Sequence, residues 1–211
     1  MKTHIIFFVF NEFDEASCAS ALAEVRAVYD DMIIRVLAID LAPVISKGGL
    51  TIMPELDFQP EHDLDDIDPL TTALLLLPDG TAWEDKRNRQ IEPLIRHCLY
   101  HRIPVAAVGA ATIALADLGI LNRVKHTSDH PEYLKCFSPV YDGEKLFSNE
   151  RCTFDAHVVT ASSQAGTEFC DHVLHVIGHA RDVRAAKSVM PAFPVSDSRP
   201  TTLTFTGTSD Q

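Results

Sequence analysis

Short runs of apolar residues recur along the chain at intervals that leave room for a helix between them. "HIIFFVF" (4–10), "MIIRVLAID" (32–40), "ALLLLP" (73–78), "PVAAV" (104–108) and "HVVTAS" (157–162) are too short for helices, and several are apolar on both faces. A strand buried on both faces belongs to a parallel sheet covered by helices. Between these runs the spacing predicts helices over 15–29, about 85–101, 110–118 and 166–178. Strands and helices in alternation predict an α/β three-layer domain with a mainly parallel sheet. "PVISKGGLTIMPE" (43–55) interrupts the alternation with two β-like pieces around Lys47-Gly48-Gly49, which predicts a small appended β-hairpin.

With 211 residues and 46% hydrophobic content the chain can bury one substantial core. One domain is expected over 1–180, followed over 181–211 by a C-terminal helix and a Pro/Ser/Thr-rich arm. The arm's composition reads as a flexible extension, although "TLTFT" alternates as an edge strand would, so packing on its own domain or a neighbouring subunit is expected. A formal net charge of -12 without a Lys/Arg cluster argues against nucleic acid and anionic membranes, leaving a small neutral or cationic ligand or a protein partner. The acidic stretch "PEHDLDDIDP" (60–69) matches no calcium-loop spacing and reads as a solvated loop or helix start.

Cys18, Cys98, Cys136, Cys152 and Cys170 are odd in number and lack CxxC pairing, which speaks against a disulfide framework or a zinc site. Cys98 and Cys170 fall on helical faces as core fillers, and Cys136 and Cys152 in expected loops. The first apolar run is too short to cross a membrane and has no small-residue cleavage site, so it reads as the first strand of a cytoplasmic protein.

"PVAAVGAATIALADLGIL" (104–121) begins as a buried strand, turns on small residues and enters a helix. Where such a turn carries chemistry a nucleophile usually stands at its apex; here the apex is Gly109. Together with "PVISKGGLTIMPE", "LLLPDGTAW", "PVAAVGAATIALADLGILNRVKHTS" and "VVTASSQAGTEFCDHVL", this stretch resembles the ThiJ/PfpI family of the class I glutamine amidotransferase-like superfamily, especially its bacterial intracellular protease/amidase-like branch. The resemblance runs over about 3–180 and implies a flavodoxin-like sandwich, commonly a homodimer; separately, no cofactor and no metal are expected. It also implies a cysteine at the elbow, where a strained backbone and backbone N–H groups would favour a thiolate and a developing oxyanion. Gly109 occupies that position and keeps the turn without the nucleophile.

Other family positions differ as well. A Glu that would hydrogen-bond the thiol aligns with Ser17, with Glu15 as the alternate register. The Gly-Gly turn that would offer an oxyanion N–H reads Asp79-Gly80, and a carboxylate there would oppose an oxyanion. His126 stands where the family often has a His beside the elbow; without a nucleophile its expected role is structural or ligand-binding. Cys18 is the other alternate, but if Ser17 faces the site, a neighbour about 100° away on the helix turns toward the sheet.

The expectation is therefore a catalytically impaired member that keeps a degenerate small-molecule pocket lined by Ser17, Asp79, Gly80, Gly109, Ala110 and His126. The alternatives are an active amidase-, hydratase- or glyoxalase-like enzyme using other residues, and a ligand-sensing module. Gly109→Cys is expected to fold, with backbone strain of about 1–3 kcal/mol.

Overall fold

The computed structural model describes residues 3–58 and 67–189. The chain runs through β1 (Thr3–Phe8), α1 (Ala16–Val28), β2 (Met32–Ala38), β3 (Val44–Ile45), β4 (Thr51–Ile52), β5 (Leu56–Asp57), β6 (Thr72–Leu77), α2 (Glu92–Tyr100), β7 (Val105–Val108), α3 (Thr112–Asp117), α4 (Pro131–Phe137), β8 (Cys152–Asp155), β9 (Val158–Ala161) and α5 (Gly166–Val189). Short 3-10 turns stand at Thr81–Trp83, Arg87–Ile91, Gly109–Ala111 and Glu144–Leu146.

Seven strands form one sheet in the order β5-β2-β1-β6-β7-β9-β8, parallel except where β8 runs against β9. The unbroken apolar runs are explained by burial on both faces: every residue of β6 and β7 is buried. Removing a leucine such as Leu75 from water stabilises the fold by roughly 1.5–3 kcal/mol. α1 turns Cys18, Ala21 and Val25 inward at helical spacing and packs against α5. The step from β1 to β2 goes one way along the sheet and the step from β6 to β7 goes the other, so right-handed crossovers place α1 and α2 on opposite faces.

That reversal fixes where a ligand site can be. At such a switch point the loops leaving adjacent strands diverge and open a crevice at the carboxyl ends of the sheet. Here the switch lies between β1 and β6, so the connections after β1 and after Leu77 border it, and the end of β7 lies next to it.

The α/β sandwich matches the expectation drawn from the sequence, and several elements add to it. β3 and β4 pair antiparallel as a separate two-stranded sheet rather than as an extension of the main one. β5, β8 and α4 were not predicted, and α5 continues well beyond residue 178. Cys152 therefore lies in a buried strand and Cys136 on an exposed helical face, not in loops. Residues 190–211, which hold the arm, and most of the acidic stretch lie outside the described residues.

Candidate site at the strand-to-helix elbow

β7 ends in extended backbone at Val108, and the next residue, Gly109, takes φ +55° before the 3-10 turn that leads into α3. This is the left-handed region, open to glycine without the penalty of a Cβ. Thr112 secures the turn: its hydroxyl donates to the Gly109 carbonyl at 2.7 Å. A carbonyl can only accept, so Ser128, 2.8 Å from Thr112 Oγ1, must donate in turn.

Facing this turn is the connection after β6. Trp83 fixes it by donating from Nε1 to the Pro78 carbonyl at 2.9 Å while packing on Phe8 and Phe10. Gly80 has φ +151°, and a Cβ there would meet the Phe10 ring at 2.7 Å. The α1 side closes on the same connection, because Asp14 donates its backbone N–H to the Asp79 carbonyl at 2.9 Å. Ser17 Oγ accepts the Asp79 N–H at 3.2 Å and donates to the Asp14 carbonyl at 2.7 Å.

The Asp79 side chain then turns into the elbow. Its Oδ1 accepts the backbone N–H groups of Gly80 and Ala110, both at 2.8 Å. An ideal Cβ on Gly109 would lie 2.4 Å from Asp79 Cγ and 2.5 and 2.6 Å from its two oxygens. The carboxylate occupies the volume into which any side chain at position 109 would project, and it takes two converging donors. Its Oδ2 makes no hydrogen bond with the described residues. Burial pushes the Asp79 carboxyl above the usual carboxylate range; the two N–H groups pull it back, while Asp129 and Asp14 raise it further.

Five of the residues proposed from sequence, Ser17, Asp79, Gly80, Gly109 and Ala110, thus meet at one point. His126 is tied elsewhere: its ring nitrogens lie 2.8 Å from the Val124 carbonyl and 2.8 Å from the Tyr141 hydroxyl, and its ring packs edge-on against Tyr141 and Phe147. Among the described residues no hydrogen bond joins it to the elbow, and burial lowers its pKa. Glu15 reaches the β3–β4 turn instead, accepting the Gly48 N–H at 3.1 Å. Its carboxyl is held low by its own backbone N–H, then by Gly48 and Ser46. Cys18 is fully buried, 3.6 Å from Ser17 Oγ, and desolvation pushes its thiol up to about 12.

Sequence reasoning missed Asp129, Tyr133 and Glu84. The Tyr133 hydroxyl donates to Glu84 Oε1 at 2.7 Å, and burial followed by that glutamate raises its pKa. Asp129 Oδ1 accepts both the backbone N–H and the hydroxyl of Ser163, at 2.7 and 2.9 Å. The signal that could have found Asp129 and Tyr133 is "HPEY": His130 caps α4 by accepting the Glu132 N–H, and Pro131 opens the helix.

Two hollows open at the carboxyl ends of the strands, and the expected pocket lined by Ser17, Asp79, Gly80, Gly109, Ala110 and His126 is not among them: neither lining includes any of these residues. One of about 400 Å³ is lined by Ser128, Asp129, His130, Phe147, Ser162 and Ser163 among others. The other, a groove of about 820 Å³, is bordered by Glu12, Ile45, Lys47, Thr81 and Arg87. Lys47 is committed to Asp14 at 3.1 Å, which raises the lysine's pKa. Among the described residues no group of three His, Cys, Asp or Glu side chains is placed to hold a metal ion.

A sequence profile of the DJ-1/PfpI family matches residues 3–176. The chain belongs to this family. Among solved structures, a DJ-1 superfamily protein of Agrobacterium tumefaciens is 27% identical with a TM-score of 0.73, covering 88% of this chain and 97% of its own. A ThiJ/PfpI family protein of Bacillus anthracis is 28% identical with a TM-score of 0.73, over 90% of this chain and 92% of its own. The uncharacterized protease YoaZ of Bacillus subtilis is 32% identical over 62% of each chain, so the alignment spans less than two thirds of that relative.

Proposed function

We propose that this DJ-1/PfpI protein lacks the cysteine chemistry associated with the family's elbow and keeps the elbow as part of a small-molecule site. The observation that carries the reading is the placement of the Asp79 carboxylate in the volume of a position-109 side chain, on the N–H groups of Gly80 and Ala110. A substrate carbonyl in that place would have to displace an anion already hydrogen-bonded to both donors. Gly109 thus stands where a cysteine would be, and Asp79 complements its missing side chain.

Cysteine-dependent proteolysis is not carried over from the Bacillus relatives' names, because it needs a reactive thiolate and Cys18 is sealed in the core. The surroundings select the ligand's charge. Asp14, Asp79, Glu84 and Asp129 all lie close enough to influence one another or Tyr133, so an uncharged or cationic molecule is favoured over an anion. We further propose a cytoplasmic homodimer. All five cysteines are free thiols, as a reducing compartment would have them, and Leu41, Ile45, Leu50 and Met53 expose apolar surface around the β3–β4 hairpin.

The test is an esterase and glyoxalase panel run before and after exhaustive thiol alkylation, beside a thermal-shift screen of neutral, cationic and anionic small molecules. No alkylation-sensitive turnover and a stabilising neutral or cationic ligand are expected. Turnover abolished by alkylating Cys18 would overturn the reading.

A further inference from the structure

The structure assigns a second site, at the far end of β7 from the elbow: His97 and His101, at the C-terminal end of α2, form a two-histidine site for a divalent transition metal such as nickel or copper. α2 leads into the start of β7, whereas Gly109 follows its end, so the pair lies beyond the elbow and the function proposed for it.

The stretch "HCLYH" (97–101) sets two imidazoles four residues apart, which on a helix puts them on one face. The helical relation holds to the last residue, since His101 donates its backbone N–H to the His97 carbonyl at 3.0 Å. The two rings lie 4.5 Å apart, centre to centre, with their planes tilted by 48°. With metal–nitrogen bonds of about 2.0–2.1 Å and a right angle at the metal, the centres of two coordinated imidazoles fall roughly 4.5 Å apart. A tetrahedral angle spreads them further. The pair therefore stands at the separation of two adjacent corners of a square or an octahedron, which suits nickel(II) and copper(II) better than tetrahedral zinc. Water fills the remaining positions.

The surroundings prepare both nitrogens. His97 Nε2 lies 3.4 Å from the Ile67 carbonyl, and a carbonyl only accepts, so the ring donates there and keeps its lone pair on Nδ1. An outer carbonyl of this kind fixes the tautomer of a metal-binding histidine and raises its basicity. His101 is exposed, its ring packs edge-on against Tyr100 at 5.0 Å, and it makes no side-chain hydrogen bond with the described residues, so an ion can reach it from solvent. Both residues stand where the last carbonyls of α2 carry partial negative charge, which favours a cation. Arg96 and Arg102 adjoin the pair and oppose one, so the site depends on its two lone pairs rather than on the local field. Cys98 turns into the core and burial pushes its thiol up to about 12, so no thiolate there competes for the ion.

α5 carries the same spacing at His175 and His179. Among the described residues, however, His97 and His101 are the only two histidine rings in contact. Contact, not spacing, singles out the α2 pair, and the α5 pair is its control.

The probe is nickel chloride, added to chelator-stripped, tag-free protein in a buffer that does not bind metals, and read by isothermal titration calorimetry. The unmodified protein should bind one ion at this site and melt at a higher temperature with it, because the ion binds the folded state. His101→Ala should weaken binding roughly a hundredfold, since the second ligand of a chelate acts at high effective concentration. His97→Gln, whose amide can still donate to the Ile67 carbonyl, should do the same while keeping the far-ultraviolet circular dichroism of the folded protein. The double variant should lose little more than either single one, His175→Ala should bind as the unmodified protein does, and zinc should bind more weakly than nickel. Small, additive losses from the two α2 variants, or a loss on His175→Ala, would show scattered single-histidine binding and overturn the inference. Zinc binding more tightly than nickel would overturn the right-angled geometry on which it rests.

Discussion

Asp79 Cγ lies 2.4 Å from the point where a Cβ on Gly109 would stand, so each of these residues sets what the other can be. The strain expected for Gly109→Cys from the elbow's backbone alone omits this collision. Left-handed strain of about 1–3 kcal/mol adds to about 1–3 kcal/mol for overpacking, so the single variant should lose about 2–6 kcal/mol. Asp79→Gly in the same chain removes the obstruction. Urea denaturation of both single variants and the double variant should show coupling, with the double more stable than the sum of the singles by about 0.5–3 kcal/mol. Strict additivity would mean that Asp79 simply swings aside.

The sheet was legible in the sequence because burial on both faces leaves a run such as "ALLLL" with no polar interruption, and Gly109 was legible as an elbow because it follows such a strand directly. β8 was not. It enters β9 through Ala156 and His157, both at positive φ (46° and 71°), without the Asn-Gly or Asp-Gly pair that normally announces such a hairpin. The destination of Asp79 was equally hidden. Sequence order shows a carboxylate beside an oxyanion site, but only the crossing of the β6 and β7 connections shows that its side chain fills the neighbouring residue's vacancy.

The Asp79 carboxyl has a raised pKa in the fold, so the folded state holds its proton more tightly than the unfolded chain does. Its contribution to stability is fully present below the ordinary carboxylate range and is lost as pH rises through the folded value. Asp79→Asn keeps an oxygen for the two N–H groups and removes the titration. The melting temperature of the unmodified protein relative to Asp79→Asn should therefore fall as pH rises from the acid side and then level off. A difference independent of pH would show that the carboxylate is not desolvated as its position implies.

His126 titrates in the opposite sense. Burial lowers its folded pKa, so its contribution is present above the unfolded histidine value and is lost as pH falls through the folded one. Replacing it by Ala leaves the Val124 carbonyl and Tyr141 hydroxyl without their partner, at about 1–3 kcal/mol for unsatisfied groups, and opens a cavity as well. Denaturation should register that loss, whereas ligand affinity measured by isothermal titration well below the melting point of the variant should be unchanged. A variant of full stability that no longer responds to ligand would place His126 in the site.

Thiol accessibility separates the five cysteines. Cys18, Cys98, Cys152 and Cys170 are buried, and desolvation pushes the first three to about 12, so none offers thiolate at neutral pH. Cys136 is exposed on α4. Native protein should react rapidly with a disulfide reagent at Cys136 alone, Cys136→Ser should abolish that phase, and denaturation should release the others. Rapid native labelling at Cys18 would contradict the closed elbow.

The present arrangement can be reversed. Ser17 Oγ touches the Asp79 backbone N–H, so position 17 faces the elbow from the first turn of α1. A glutamate there in the unmodified chain would bring a second anion against the Asp79 carboxylate, and Ser17→Glu should lose stability with rising pH as both ionise. In the Asp79→Gly, Gly109→Cys background the same glutamate meets no carboxylate, finds a thiol to hydrogen-bond, and leaves the N–H groups of Gly80 and Ala110 free for an oxyanion. Thiolate absorbance against pH should show a thiol titrating below the ordinary cysteine value in the double variant, because backbone donors favour the anion. Adding Ser17→Glu places a proton acceptor beside that thiol, and the triple variant alone should gain alkylation-sensitive glyoxalase or esterase turnover. Equal turnover in the double variant would show that Ser17 already suffices and that the Asp79 carboxylate is the single obstruction at this elbow.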